Sequence, residues 1–386
     1  MKKLLITLLF ASLSFNSWAN PTDLNLKIDA LFSDIDLNNS PACSVGVIEA
    51  GRFIHNSGYG LANLEHSIRN TSDTVFRIGS VSKQFTAMSI AILEERDVLS
   101  FNDSLQQHIP DLINYKEEVT LNHIIHHFSG LGDYEYSDYP NRFFNAVGEQ
   151  FRWGNEDYMS NEEIHSLFKT LPLIMRPETK FWYSNLGYGL LSMVIENTSG
   201  MTLRQFANKE IFKPLGMNRS FFNDNVNLVV KNRADGYSER EGYPGEYEIN
   251  MTNLSNVGDG GVYTSINDFI KWDQNFYNNK LGKKSHELIE VMERNFFDTA
   301  GADIEIGQDI KRDEYSYAFA QNIDYRNGYK RWSHSGSWVA YTAQYSRFPE
   351  IEFSVITLCN NEAIHASDIA DGIMEIYFQQ HKAVGE

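Results

Sequence analysis

Phe76-Arg77-Ile78-Gly79-Ser80-Val81-Ser82-Lys83 is the segment on which the reading of this chain turns. An aromatic and β-branched run ends at a glycine. It gives way to apolar residues at helical spacing, Phe85, Met88, Ile92 and Leu93, which predict a helix over about 81–96. A serine in the first turn of that helix meets backbone N–H groups without intrahelical partners, at the positive end of the helix dipole. Lys83 follows three positions later on the same face, so its amine reaches the Ser80 oxygen. A strand, a turn and then a helix is the setting that exposes a nucleophile. The other Ser-x-x-Lys, Ser166 to Lys169, lies in a polar helical stretch with no strand or glycine before it and reads as a solvated face.

Two further segments carry chemistry. Tyr183-Ser184-Asn185 follows the aromatic pair Phe181-Trp182 and opens an apolar helix over about 185–198, stopped by Gly200. A phenol there can carry a proton, and the Asn185 amide can donate to a substrate carbonyl. The same spacing at Tyr139, Tyr277 and Tyr325 falls in a polar loop, a helix end and a hairpin turn. His334-Ser335-Gly336-Ser337 sits in a strand region near the end of the chain. Gly336 would let another backbone or a ligand come close, and the Ser337 N–H could pair with that of Ser80 to hold an oxyanion. Read alone, this segment is also an ordinary histidine at a strand end with a turn glycine. Lys280-Leu281-Gly282 reads as a helix stop, and Gly258 to Gly261 as a tight turn near the site.

The chain has 386 residues and a formal net charge of −18. Such acidity argues against nucleic acid or an anionic membrane surface as the main partner and favours plain solubility. Lys2 and Lys3 precede an apolar stretch that ends at Ser17-Trp18-Ala19, a small-x-small site. This reads as a signal peptide over 1–19, cleaved after Ala19, and predicts a periplasmic or secreted protein without stable membrane insertion. Cleavage removes two lysines and no acid, taking the charge from −18 to −20. Cys43 and Cys359 are the only cysteines, and a bridge and two buried thiols both remain open. His123, His126 and His127 lie at helical spacing, but no Glu or Cys completes a ligand set. They read as an ordinary helix, with neither metal nor cofactor expected. The aromatics Tyr134, Tyr136, Tyr139 and Trp153 are candidates for a cleft wall or for loop packing.

Helical spacing appears over 23–35. Two strands joined through Ala50-Gly51 follow, over 43–49 and 52–59. A long, mainly helical stretch runs over about 100–315, with helices near 120–128, 162–170, 185–198, 202–212 ending at Pro214, and 269–277 behind Ser265 with capping-box spacing. The period then changes to two over 317–325, 330–334, 339–348 and 351–358, and a helix over 366–381 closes the chain. This order predicts an α+β fold over 20–386. One antiparallel sheet is built from both chain ends (about 20–99 and 316–386), with the helical region inserted.

The three active segments together resemble the serine β-lactamase and penicillin-binding protein family, most closely its class C β-lactamase-related branch. Gly58-Tyr59-Gly60-Leu61-Ala62-Asn63, Asp73-Thr74-Val75-Phe76-Arg77, Ser129-Gly130-Leu131, Pro214-Leu215-Gly216-Met217, Gly258-Asp259-Gly260-Gly261-Val262-Tyr263 and Arg347-Phe348-Pro349 also look like segments of that family, in its order, over about 40–360. The resemblance implies Ser80 as nucleophile and Lys83 and Tyr183 as the acid–base pair. Asn185 would orient substrate, with His334, Gly336 and Ser337 at the third-motif binding position. One departure is visible. Antibiotic-hydrolysing and peptidoglycan-trimming members usually carry Lys-Thr-Gly where this chain has His334-Ser335-Gly336. A lysine is a permanent cation suited to a carboxylate, whereas a histidine is mostly neutral near pH 7 unless its surroundings hold a proton on it. The expected function is therefore an exported serine hydrolase forming an acyl-enzyme at Ser80. Its small-molecule or peptide substrate would be an ester, or an amide or peptide with D-residues. A true β-lactamase and a covalent sensor without turnover are the alternatives. In the expected mechanism a protonated His334 could help Lys83 draw the Tyr183 proton.

Overall fold

The computed structural model describes residues 21–134, 138, 159–295 and 316–382. The expected signal segment and the aromatics Tyr136, Tyr139 and Trp153 lie outside the described residues.

Seven strands form the main sheet. They are β1 (Cys43–Glu49), β2 (Arg52–Gly58), β3 (Ser316–Tyr317), β4 (Asn322–Arg326), β5 (Tyr329–Trp338), β6 (Tyr341–Phe348) and β7 (Phe353–Cys359). Their order is β3-β4-β5-β6-β7-β1-β2, and every neighbouring pair is antiparallel. The fold is α+β, with the sheet drawn from both chain ends. Side chains alternate across it. Cys43, Val45 and Val47 of β1 and Phe353, Val355 and Cys359 of β7 face a core shared with Leu24 and Ile28 of the first helix (Pro21–Ala30), Phe32 in the turn after it, and Ile373, Met374 and Tyr377 of the last helix (Ala366–Lys382). Ile356 and Leu358 of β7, with Ala343 and Tyr345 of β6, face the larger core built with the helical region. Both faces of β7 are covered, which is why its sequence is an unbroken apolar run rather than an alternating one.

The helices that carry the site belong to the larger core. The serine helix spans Lys83–Glu95 and the tyrosine helix Asn185–Ser199. Ser184 caps the latter, its Oγ accepting the Gly187 N–H at 3.1 Å, and Gly200 ends it in the left-handed conformation. Ser265 caps Ile266–Tyr277 as its spacing predicts.

Some boundaries differ from expectation. The strand expected over 317–325 is a hairpin, β3 and β4. Ala318 N–H donates to Gln321 O at 2.8 Å and Ala320 takes a positive φ of 56°, a reversal made without the glycine that usually announces one. The helical run past Thr202 does not stop at Pro214. Leu203–Ala207 passes through a wider π-turn, Asn208–Phe212, into Lys213–Leu215, and Gly216 ends it. Pro214 enters at the start of that last piece, where a missing N–H costs little. The helix expected over 120–128 is only Leu121–Ile125. His127, at φ 63°, leaves it rather than sharing a face with His123. No helix among the described residues is long and apolar enough to cross a membrane.

Cys43 and Cys359 lie directly opposite each other on β1 and β7, with Cα atoms 4.0 Å apart, and form a disulfide. It closes a loop of 316 residues between the two chain ends. Restricting the unfolded chain in this way typically stabilises by about 2–4 kcal/mol. The Cys43→Ala/Cys359→Ala double variant is predicted to unfold at a lower temperature or denaturant concentration than wild type. It should keep wild-type kcat below its transition, because both cysteines face the core opposite the site.

Candidate active site

Ser80 lies in a short 3-10 turn, Gly79–Ser82, that runs directly into the serine helix. The turn presses against β5. A Cβ on Gly79, whose φ is 49°, would fall 2.6 Å from the Ser337 nitrogen, and one on Gly336 would fall 2.1 Å from the Ile78 carbonyl oxygen and 3.0 Å from the Ser80 nitrogen. Real Cβ atoms do not tolerate such contacts, so two glycines permit this backbone-to-backbone approach. The approach brings Ser80 beside the strand that carries His334 and Ser337.

Lys83 is fully buried, and its Nζ is surrounded by acceptors among the described residues. Ser80 Oγ lies at 3.0 Å, Asn185 Oδ1 at 2.5 Å and the Asp259 carbonyl oxygen at 2.6 Å. A buried ammonium needs its donors engaged. Asn185 is oriented in turn by Asp133, whose Oδ2 accepts its Nδ2–H at 3.0 Å and its backbone N–H at 3.3 Å. That contact settles which end of the Asn185 amide faces Lys83. It also commits one of the two Nδ2 hydrogens otherwise available to a substrate carbonyl. The Gly258–Gly261 turn stands where expected, and its Asp259 carboxylate accepts from Tyr134 and Asn256. Tyr134 is therefore buried behind the turn, its ring 4.8 Å from that of Phe168, rather than walling the cleft.

A cavity of about 500 Å³ opens over Ser80. Tyr183, Asn185, His334, Gly336 and Ser337 line it, so the predicted residues converge from three distant parts of the chain, with Lys83 beneath. Phe181, Asn322, Trp338 and Val339 also line it, and sequence reading had not picked them out. The Lys83 ammonium is 4.9 Å from the centre of the Tyr183 ring, which packs 4.3 Å from that of His127. None of the described lining residues is Lys, Arg, Asp or Glu.

His334 is buried on β5. Its Nε2 is 3.0 Å from the Tyr317 hydroxyl and its Nδ1 is 2.5 Å from the Ser335 carbonyl oxygen. Burial, reinforced by the nearby Lys83 charge, lowers its pKa to about 4. The imidazole is neutral at pH 7, and the expected contribution of a protonated His334 beside Tyr183 is corrected accordingly. The three histidines between positions 123 and 127 each have a structural partner. His123 pairs with Glu178 at 2.9 Å, His126 bonds the Asn122 carbonyl at 3.0 Å, and His127 accepts the Ser184 N–H at 3.1 Å. The second Ser-x-x-Lys is a surface feature, with Ser166 bonded to the Glu162 carbonyl and Lys169 to Asp111.

Comparison with known proteins gives the family. The β-lactamase family model matches residues 28–373. This chain belongs to the β-lactamase family. It is a serine hydrolase of that family, with penicillin-binding-protein and class C β-lactamase-like relatives. Penicillin-binding protein 4* of Bacillus subtilis (strain 168) is 26% identical over 348 residues, which is 87% of this chain and 71% of that protein. The octameric penicillin-binding protein homologue from Pyrococcus abyssi superposes with a TM-score of 0.76 at 26% identity, covering 92% of this chain and 77% of that one. A class C β-lactamase superposes with a TM-score of 0.69 at 19% identity, covering 92% and 96%, a likeness of fold alone.

Two outcomes are predicted. Gly336→Ala forces its Cβ against the Ile78 carbonyl and separates the serine turn from β5. It should lower kcat by about 10²–10³-fold, the usual cost of losing an oxyanion donor, and a variant with wild-type kcat would contradict the packing argument. His126, His165 and His334 each have a pKa lowered to about 4 by burial, against 6.5 when unfolded. Below pH 6.5 the unfolded chain therefore binds more protons. Their contribution to stability is complete above pH 6.5 and is lost as pH falls toward 4. The urea midpoint should drop across that window, and a midpoint unchanged between pH 7 and 4.5 would refute it.

Proposed function

We propose that this chain is an exported hydrolase that forms an acyl-enzyme on Ser80 from a neutral substrate, an ester or an amide or peptide bond with D-residues. The observation that carries the reading is the Lys83 Nζ, 3.0 Å from Ser80 Oγ, under a cavity whose third motif offers a neutral imidazole in place of a cation. When Lys83 is neutral it has two N–H groups and one lone pair. Asn185 Oδ1 and the Asp259 carbonyl can only accept, so they take the two N–H groups and leave the lone pair facing Ser80. Ser80 Oγ attacks the substrate carbonyl carbon while its proton passes to Nζ. The N–H groups of Ser80 and Ser337 stabilise the oxyanion, at about 3 kcal/mol per donor. The carbonyl–leaving-group bond breaks, and Lys83, directly or through Tyr183, protonates the departing oxygen or nitrogen. Water then adds to the acyl carbon by the reverse proton route and frees Ser80.

The absence of charge among the described lining residues favours uncharged acyl groups over the carboxylate-bearing substrates of the β-lactamase alternative. Export is supported by the lysine-led apolar N-terminus and by the Cys43–Cys359 bridge, which persists in oxidising compartments.

The test is a panel of p-nitrophenyl acetate, p-nitrophenyl butyrate, D-Ala-p-nitroanilide and nitrocefin. Wild type should turn over an ester or the D-anilide far faster than nitrocefin. Ser80→Ala should lose at least about 10³-fold on whichever is the best substrate. Efficient nitrocefin turnover would favour the β-lactamase, and stoichiometric acylation without release would favour the sensor. His334→Lys should move the preference toward carboxylate-bearing substrates, and an unchanged preference would remove the third-motif argument.

A further inference from the structure

His334 does not end at the cavity wall. Behind it lies a line of polar side chains that crosses from the sheet into the helical region. His334 Nδ1 faces the Ser335 carbonyl oxygen at 2.5 Å, and His334 Nε2 lies 3.0 Å from Tyr317 Oη. Tyr317 Oη in turn lies 3.3 Å from His127 Nε2. His127 Nδ1 meets the backbone N–H of Ser184 at 3.1 Å, one residue beyond Tyr183. All three side chains are buried. Phe181 packs against both inner members, 5.7 Å from the rings of His127 and Tyr317.

Both ends of this line are backbone groups whose roles cannot reverse. Ser335 C=O only accepts, so His334 carries its proton on Nδ1 and leaves Nε2 as an acceptor. Ser184 N–H only donates, so His127 Nδ1 accepts and His127 Nε2 carries the proton. Between them Tyr317 accepts from His127 and donates to His334. The neutral Tyr188 phenol nearby gives its own proton to the Ile125 carbonyl at 2.7 Å, and its oxygen is a second hydrogen-bond partner of Tyr317.

We propose that Tyr317 and His127 are positioning residues of the active site. Through this one-directional line they fix His334 as the Nδ1–H tautomer with both nitrogens engaged, and they bind the His334 strand to the segment that begins at Tyr183. Protonating His334 would forfeit the hydrogen bond that Tyr317 gives to Nε2 and put a second donor against Tyr317 Oη, which already accepts from His127, so that the phenol's proton would have to turn to Tyr188 Oη. Among the described residues, the titratable groups facing His334 are Lys83, Tyr183, Tyr317 and, one step further back, His127 and Tyr188. When it is protonated, Lys83 opposes a charge on His334 in the same direction. The line therefore keeps the third-motif position neutral, which makes it a determinant of specificity. That consequence for specificity rests on the hydrolase reading above, whereas the tautomers do not.

The test begins with nuclear magnetic resonance of the full chain carrying 15N-labelled histidine, with His127→Gln and His334→Asn to assign the signals. At pH 7 the two rings should show opposite tautomers, His334 protonated on Nδ1 and His127 on Nε2. A His334 protonated on Nε2, or a ring exchanging between forms, overturns the proposal whatever the activity. Tyr317→Phe removes the donor to His334 Nε2. It should raise the pH at which His334 titrates by on the order of one unit, the scale of one hydrogen bond. The acid limb of kcat/KM on the best neutral substrate should rise with it. kcat should fall roughly tenfold to a hundredfold, with little change in KM. A purely structural tyrosine would instead lower thermal stability and scale activity equally at all pH, and that result also overturns the proposal. If Tyr317→Phe does not fold, the wild-type tautomers alone decide. Opposite tautomers with no kinetic effect in a folded Tyr317→Phe would retain the hydrogen-bonded line and dismiss its role in positioning. Intact tautomers with no Ser80-dependent hydrolysis would leave the line standing and count against the hydrolase.

Discussion

The contact between Gly79 and Gly336 is the constraint on which the site depends. The serine turn and β5 come from opposite ends of the fold's connectivity, and their backbones meet where neither chain could carry a Cβ. Without that approach, Ser80 would sit at the mouth of an ordinary helix and the Ser337 amide would be one more edge of a strand. With it, a nucleophile, two backbone amides and the His334 imidazole share one cavity. The sheet supplies the rigidity for this. β5 is paired along its length with β6 and β4, and the disulfide locks β1 to β7 further across.

Beneath the contact, the polar groups are organised so that each has a direction. Asp133 turns the Asn185 amide, Asn185 and the Asp259 carbonyl hold Lys83, and Lys83 faces Ser80. On the other side, Ser184 N–H orients His127 and the Ser335 carbonyl orients His334, with Tyr317 between them. Buried polar groups are costly when unmatched and specific when matched. Here two lines of matched groups flank Tyr183. One holds the amine that takes the serine proton, and the other keeps the opposite wall uncharged.

Much of this was legible in the sequence because it depends on local pattern. The glycine before Ser80, the i+3 lysine, the capped and glycine-ended helix after Tyr183 and the period-two runs near the end all follow from backbone geometry within a few residues. Other features are not local. Asp133 meets Asn185 across 52 positions and His127 meets Tyr317 across 190, and no spacing rule reaches that far. Tyr317 was further hidden by the β3–β4 hairpin, which turns through Ala320 with no glycine to mark it. Tyr134 looked like a wall because it is aromatic and follows Ser129-Gly130-Leu131. It became core because the Asp259 carboxylate needed a buried partner. Whether Cys43 and Cys359 pair was undecidable until the strand register set them opposite each other.

The most direct measurement is mass spectrometry of the chain quenched during turnover of an activated ester, followed by tryptic digestion. Cleavage after Arg77 and Lys83 releases residues 78–83, a short peptide with Ser80 at its centre. The account predicts one acyl group on that peptide at Ser80, absent from Ser80→Ala and strongly reduced in Gly336→Ala. Hydrolysis that proceeds with the acyl group elsewhere, or that survives in Ser80→Ala, would contradict it.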